Sequence, residues 1–118
     1  MSRNRPVIGV VQINYDRVTV YGDPKDNNAS YSLTHRQIII GLDDDWDGVM
    51  ENVIHEVQEY FLHSRGLMYS PQQTRNSFQR RKFIIDHDDF AEMCGTCAEA
   101  YNTIEPKLIK MYEEYRRK

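Results

Sequence analysis

The stretch QIIIGLDDDWDGVMENVIHEVQEY, residues 37–60, changes its hydrophobic pattern halfway along and thereby decides the fold. Its first part is a short apolar run rich in isoleucine, which is typical of a buried β-strand. After the acidic residues 43–45, apolar side chains recur at spacings of three and four, the period of an α-helix. The aspartates can cap the first turn, and Gly66 ends the pattern. The sequence therefore predicts a strand followed by a helix over residues 46–65.

The residues before this stretch have the composition of further strands. The segments PVIGVVQINY and RVTVY are rich in β-branched and aromatic residues, and GDPKDNNA is dense in turn formers. We therefore expect a small antiparallel sheet of about three strands within residues 1–42.

The second half of the chain predicts a loop, a short extended segment and a second helix. The loop contains Pro71, and KFIID is the extended segment. A helical pattern then covers residues 88–117, with a kink or restart near Pro106. Its apolar face comprises Phe90, Met93, Cys97, Tyr101, Ile104, Leu108, Met111, Tyr112 and Tyr115. The predicted fold is one α+β domain spanning residues 1–118: a sheet followed by two long helices.

Composition narrows the class of protein. A chain of 118 residues with 40% hydrophobic and 28% charged residues is globular, and its longest apolar runs are too short to cross a bilayer. The N-terminus lacks the pattern of a signal peptide, so we expect a cytoplasmic protein without membrane contact. The net charge of -3 argues against nucleic acid as a partner. The local basic clusters, Arg75–Lys82 and Arg116–Lys118, are typical of solvated surface.

Cys94 and Cys97 form the motif CGTC. Two cysteines are too few for a disulfide framework, and no second pair completes a zinc ribbon. A redox pair of the thioredoxin type opens a helix, whereas here the helical pattern already runs through the motif. Packing residues are the simpler interpretation.

One face of the first helix carries the candidate chemistry. His55, Glu59 and His63 follow each other at intervals of four, opposite the apolar stripe. Residues four apart have Cβ atoms about 5–6 Å apart, so His55 and Glu59 can reach one cation. The pattern starts like the zinc-peptidase signature His-Glu-x-x-His, with Glu59 in place of the second histidine. Glu56 then holds the position of the general base that activates water.

Zinc accepts two histidines and one carboxylate as a catalytic ligand set. The third ligand we favour is His87, because an ion rarely takes three ligands from one straight helix; His63 is the local competitor. A charged, solvated stripe is the alternative interpretation, since Asp47 and Glu51 extend the same four-residue row.

The order of elements resembles that of zincin-like metallopeptidases: a strand QIIIGL, an acidic link DDDWDG and the helix VMENVIHEVQEY. The last 80 residues or so are similar to small bacteriophage proteins of unknown function. The matching residues are His55, Glu56, Glu59, Phe83, His87, Phe90, Pro106 and Leu108.

This resemblance implies a minimal zincin-like fold in which His55, Glu59 and His87 bind zinc and Glu56 is the catalytic base. The function it implies is a zinc-dependent hydrolase, most plausibly a peptidase, and His35 and Tyr69 are candidate oxyanion donors. The alternative is a non-catalytic, phage-type accessory protein that binds a host or phage protein and holds any metal structurally. The partner in either case is a protein or peptide, and a homo-oligomer stays open.

Overall fold

The protein, described by a computed structural model over residues 5–69 and 82–116, is an α+β fold as predicted. A four-stranded sheet comes first and two helices follow, with a two-stranded ribbon between them. The elements in chain order are β1 (Val7–Ile13), β2 (Asp16–Asp23), β3 (Ala29–Ser32), β4 (Gln37–Gly41), α1 (Trp46–Ser64), β5 (Met68–Tyr69), β6 (Lys82–Phe83) and α2 (His87–Arg116).

The main sheet is mixed, with the strand order β1-β2-β4-β3. β1 and β3 pair antiparallel with their neighbours, whereas β2 and β4 run parallel. The sheet has one strand more than predicted, because the short polar segment Ala29–Ser32 forms a strand of its own. It lies at the edge, and the chain turns back through residues 33–36 to place β4 inside the sheet.

Both helices cover the same face of the sheet. α1 packs on β3 and β4, α2 packs on β1 and β2, and the helices contact each other. Along β2 and β4 the side chains alternate between this face and the other, as the pleat of a strand requires. The buried core comprises Ile8, Val11, Ile13, Val18, Val20, Ile38, Ile40, Leu42, Val49, Val53, Val57, Tyr60, Phe61, Leu62, Met93, Cys97, Ala100, Ile104 and Leu108.

The bounds of α1 match the sequence signals. The Asp45 carboxylate accepts a hydrogen bond from the backbone N–H of Gly48 at 2.8 Å, so it is the N-cap that the acidic link predicts. The helix ends where Gly66 takes a left-handed conformation, with φ of 76°. The apolar stripe of the sequence is therefore the face that packs on the sheet.

Polar contacts lock the two helices in an antiparallel arrangement. The Arg65 guanidinium at the end of α1 bonds Asn14 at 2.7 Å and Asp89 at 3.3 Å, and it also pairs with Glu92. At the opposite end, the Tyr112 hydroxyl donates to the Asp44 carbonyl at 2.9 Å. Each end of α2 is thereby attached to an end of α1.

α2 follows its predicted face with two differences. Phe90 is 52% exposed, so the buried stripe begins at Met93. The helix also continues without interruption through Pro106, so the chain does not restart there.

Arg75, Arg80, Arg81 and the loop over residues 70–81 lie outside the described residues. Within residues 5–69 and 82–116, neither helix combines the length and apolar character that a membrane span needs.

Gly41 marks the tightest approach of main chain in the sheet. A Cβ atom there would lie 2.4 Å from the carbonyl oxygens of both Asn28 and Asp26, and neither backbone group can move aside cheaply. The Gly41 N–H also donates to the Asn28 carbonyl at 2.9 Å. β4 therefore requires glycine at this position.

We expect Gly41→Ala to lower the free energy of unfolding by about 3 kcal/mol or more, because the clash is with backbone. Gly9→Ala is the matched control: its Cβ would meet the Ile104 side chain at an ordinary 3.5 Å, and we expect a change below about 1 kcal/mol. Urea denaturation of both variants measures the difference. Equal stability of the two variants would contradict the close approach.

Candidate functional site

The polar flank of α1 lies along the edge strand β3. Near the start of the flank, the Asn52 amide donates to the Asn27 carbonyl at 3.3 Å. At its end, the Tyr31 hydroxyl and the His63 Nδ1 atom form a hydrogen bond of 3.0 Å. The row of polar residues between these contacts therefore borders a strand on one side.

Three side chains converge on this flank. The His55 Nε2 atom lies 2.5 Å from a carboxylate oxygen of Glu59 and 3.6 Å from one of Glu56. One ligand atom from each of the three residues falls within 4.8 Å of the others. The i, i+4 spacing on a helix produces the first contact, and Glu56 approaches from the side nearer the core. An imidazole and two carboxylates thus share one small volume.

The two carboxylates are largely removed from water. The side chain of Glu56 is 9% exposed and that of Glu59 is 14% exposed, whereas the His55 side chain is 66% exposed. The face that the sequence places in solvent is thus covered at both glutamates, because α1 packs against β3 as well as β4. The imidazole is therefore the accessible member of the group, Glu59 is partly buried and Glu56 is buried.

Burial governs the electrostatics of Glu56. It raises the pKa of the Glu56 carboxyl above its usual range, the nearby His55 opposes that rise, and the Glu59 carboxylate adds to it. Two adjacent carboxylates in a poorly hydrated place create a deficit of positive charge. A protonated His55 or a bound cation would compensate it.

The donor set suits a transition-metal cation. Zinc binds imidazole nitrogen and carboxylate oxygen at about 2.0–2.2 Å, which places neighbouring ligand atoms of a tetrahedron roughly 3.3 Å apart. The separation of 3.6 Å between His55 and Glu56 already fits, and that of 2.5 Å between His55 and Glu59 needs to open by less than 1 Å. The His55 side chain is 66% exposed, which leaves room for such a movement.

Of the predicted ligands, His55 and Glu59 come together and His87 does not join them. His87 begins α2 with its side chain 93% exposed, and its Nδ1 atom lies 3.9 Å from the Asp88 carboxylate. Among the described residues, the group that can hold a cation is His55, Glu56 and Glu59. The assignment of His87 as third ligand stays a prediction without support from this geometry. His63 is also outside the group, since its Nδ1 atom bonds Tyr31.

Sequence analysis did not predict that Tyr31 lies at this site. Its hydroxyl reaches His63, and its ring packs edge-on against the rings of Tyr60 and His63, both at 5.9 Å. No local pattern indicates this contact, because it joins residues 32 positions apart. Of the proposed oxyanion donors, His35 is exposed in the turn before β4 and bonds Ser32 at 3.0 Å. The side chain of Tyr69 lies outside the described part of the chain.

We expect Glu56→Gln to raise stability at neutral pH. The folded state holds the Glu56 proton more tightly than the unfolded chain, whose pKa is near 4.5. The carboxyl therefore favours folding below that pH and opposes folding as the pH rises through its folded-state pKa. An amide keeps the shape and removes the buried charge.

Thermal unfolding between pH 4 and pH 8 in the presence of a chelator checks this expectation. The gain from Glu56→Gln should be largest at high pH and should vanish at low pH. Glu51→Gln, an exposed glutamate of the same helix, is the control and should change little. A destabilised Glu56→Gln protein at neutral pH would mean that the carboxylate stabilises the fold.

Comparison with known proteins adds no relative to this picture. No protein-family model matches the chain, and neither a curated protein nor a solved structure does. The resemblance to zincin-like and phage proteins stays a prediction from the sequence. The description of the site therefore rests on the chemistry of His55, Glu56 and Glu59 alone.

Proposed function

We propose that this protein is a zinc-dependent hydrolase, specifically a minimal peptidase. The observation that carries the proposal is the convergence of an accessible imidazole, His55, with a buried carboxylate, Glu56, and a partly buried one, Glu59, within 4.8 Å. Stability alone gives no reason to bury one carboxylate next to another, and such pairs are common where chemistry is done.

The roles divide by burial and position. His55 and Glu59 would hold the ion, since they are one helical turn apart and already in contact. Zinc bound there would polarise a substrate carbonyl and lower the pKa of water. Glu56 would accept the proton of the attacking water and return it to the leaving group. Its raised pKa suits that task, because a base works best when its pKa approaches the working pH.

The position of the site next to β3 favours an extended peptide as substrate. β3 is an outer strand, and within the described residues it pairs only with β4. An extended chain can add to such an edge through main-chain hydrogen bonds. A peptide paired there would pass beside the flank of α1 that carries the three residues. The Tyr31 hydroxyl and His63, hydrogen-bonded to each other, would then border the bound chain.

A second candidate function follows from the exposure of His87. Among the described residues, Glu56 is then the group that can serve as the third ligand. If it does, zinc has a structural role and the same strand edge binds a protein partner. In this alternative the protein is an accessory factor of the phage type suggested by the sequence. Both proposals place it in the cytoplasm, and both allow a homo-oligomer.

Metal content tests the site itself. Protein purified without chelator should contain about one zinc ion per chain, and His55→Ala and Glu59→Gln should each weaken binding by about 100-fold or more. His87→Ala decides whether that residue is a ligand, because only a ligand would produce a comparable loss. His35→Ala, an exposed histidine in the turn before β4, is the control. Binding that survives in both His55→Ala and Glu59→Gln would place the ion elsewhere.

Catalysis is tested separately from binding. Glu56→Gln should retain zinc and lose hydrolysis of an unfolded, fluorescently labelled protein by about 100-fold or more, because the amide accepts no proton. Glu51→Gln should hydrolyse it at the wild-type rate. Zinc binding without hydrolysis in the wild type would favour the accessory-protein alternative. Full activity of the Glu56→Gln variant would exclude Glu56 as the catalytic base.

A further inference from the structure

Two thiols lie on α2, apart from the residues proposed for hydrolysis. Cys94 is exposed and Cys97 is buried, and both are free. Residues three apart on a helix are neighbours, so the two side chains adjoin at the boundary between solvent and core. An accessible thiol is thus placed directly above a protected one.

The hydroxyl of Tyr101, one turn beyond Cys97, faces this pair. It is buried and makes no hydrogen bond of normal geometry within the described residues. Burial raises the pKa of Tyr101, so the hydroxyl keeps its proton and remains a donor. It lies close enough to Cys97 to oppose the rise that burial causes in the pKa of that thiol. The acceptor best suited to this donor is a thiolate at Cys97.

Gly95 lies between the two cysteines, and close packing does not require a glycine there. A Cβ atom at this position would meet nothing within 4 Å, so any small residue fits. Glycine inside a helix lowers helix stability by about 1 kcal/mol relative to alanine. Gly95 instead gives the backbone between Cys94 and Cys97 more conformational freedom than another residue would.

We propose that Cys94 and Cys97 form a reversible, redox-active dithiol that exchanges with small disulfides such as oxidised glutathione. The Cys94 thiolate attacks one sulfur of the small disulfide, forms a mixed disulfide and releases one small thiolate, which takes up a proton. Cys97 then loses its proton and attacks the Cys94 sulfur, which expels the second small thiolate. The net exchange oxidises the protein dithiol to a disulfide and reduces the small disulfide to two thiols.

Geometry explains why each feature is present. Cβ atoms three apart on a helix are about 5–6 Å apart, whereas a disulfide requires about 3.5–4.5 Å. The turn must therefore deform, and Gly95 permits that deformation. Cys97 needs no access to solvent, because its target is the adjacent sulfur of Cys94. The Tyr101 hydroxyl stabilises the Cys97 thiolate while it attacks.

Incubation of the full chain with oxidised glutathione, followed by acid quench, unfolding, maleimide labelling and intact mass measurement, tests the proposal. The wild type should lose two hydrogens and accept no label. Cys97→Ala should stop at a glutathione adduct on Cys94, and Cys94→Ala should stay unmodified. A wild-type protein that keeps glutathione on Cys94 with Cys97 free, that joins two chains, or that does not react overturns the proposal.

Two further variants separate redox chemistry from packing. Tyr101→Phe should slow closure of the disulfide several-fold and leave formation of the adduct unchanged, whereas Tyr115→Phe should alter neither rate. Gly95→Ala should shift the equilibrium several-fold towards the dithiol. If Tyr101→Phe closes at the wild-type rate, the tyrosine has no part in the exchange, and an unshifted Gly95→Ala equilibrium removes the glycine from it. Any zinc bound at His55, Glu56 and Glu59 should be retained in all these variants, because they leave that group of α1 intact.

Discussion

The packing of α1 on three sides is the constraint on which the rest of the structure depends. Its valines at 49, 53 and 57 are each at most 1% exposed, and the helix contacts β3, β4 and α2. Such contacts cover the apolar stripe and its border with β3, whereas the opposite side of the helix stays exposed at Asp47, Glu51 and Ile54. A polar side chain next to the apolar stripe is therefore buried although it can carry a charge, and Glu56 is such a residue.

Burial of Glu56 is best explained by what a carboxylate can do there. A leucine or methionine would fill the same volume without the loss of hydration that an acid incurs, and without repulsion from Glu59. Residues that oppose folding in this manner are often retained because they act on a substrate or an ion. The neighbouring imidazole of His55, which is exposed and in contact with both acids, supplies the access from solvent that such a role needs.

The sequence predicts those features of the protein that depend on local interactions. The Asp45 cap, the end of α1 at Gly66 and the buried valines all follow from patterns within a few residues. The order of the strands does not, because β3 reaches the sheet edge through pairing with β4, which no periodicity encodes.

The same distinction applies to the site. The spacing of His55 and Glu59 predicts their contact, which lies within one turn. The burial of Glu56 and Glu59 depends on the packing of α1 against β3. That packing includes the hydrogen bond between Tyr31 and His63, which are 32 positions apart in the sequence. The place of His87 depends on where α2 begins relative to α1. That position follows from the packing of α2 on β1 and β2 and from the ion pairs of Arg65 with Asp89 and Glu92, and no motif encodes these long-range contacts.

The charge of the ligand set decides between the two proposed roles. If Glu56 and Glu59 both bound zinc, their two negative charges would cancel that of the ion, and its power to acidify water would be largely lost. Such a centre would be structural. If Glu59 alone binds with neutral His55, one positive charge remains, and Glu56 is free to accept a proton. Burial keeps the Glu56 proton more firmly attached than that of an ordinary carboxyl, which disfavours it as a ligand and favours it as a base.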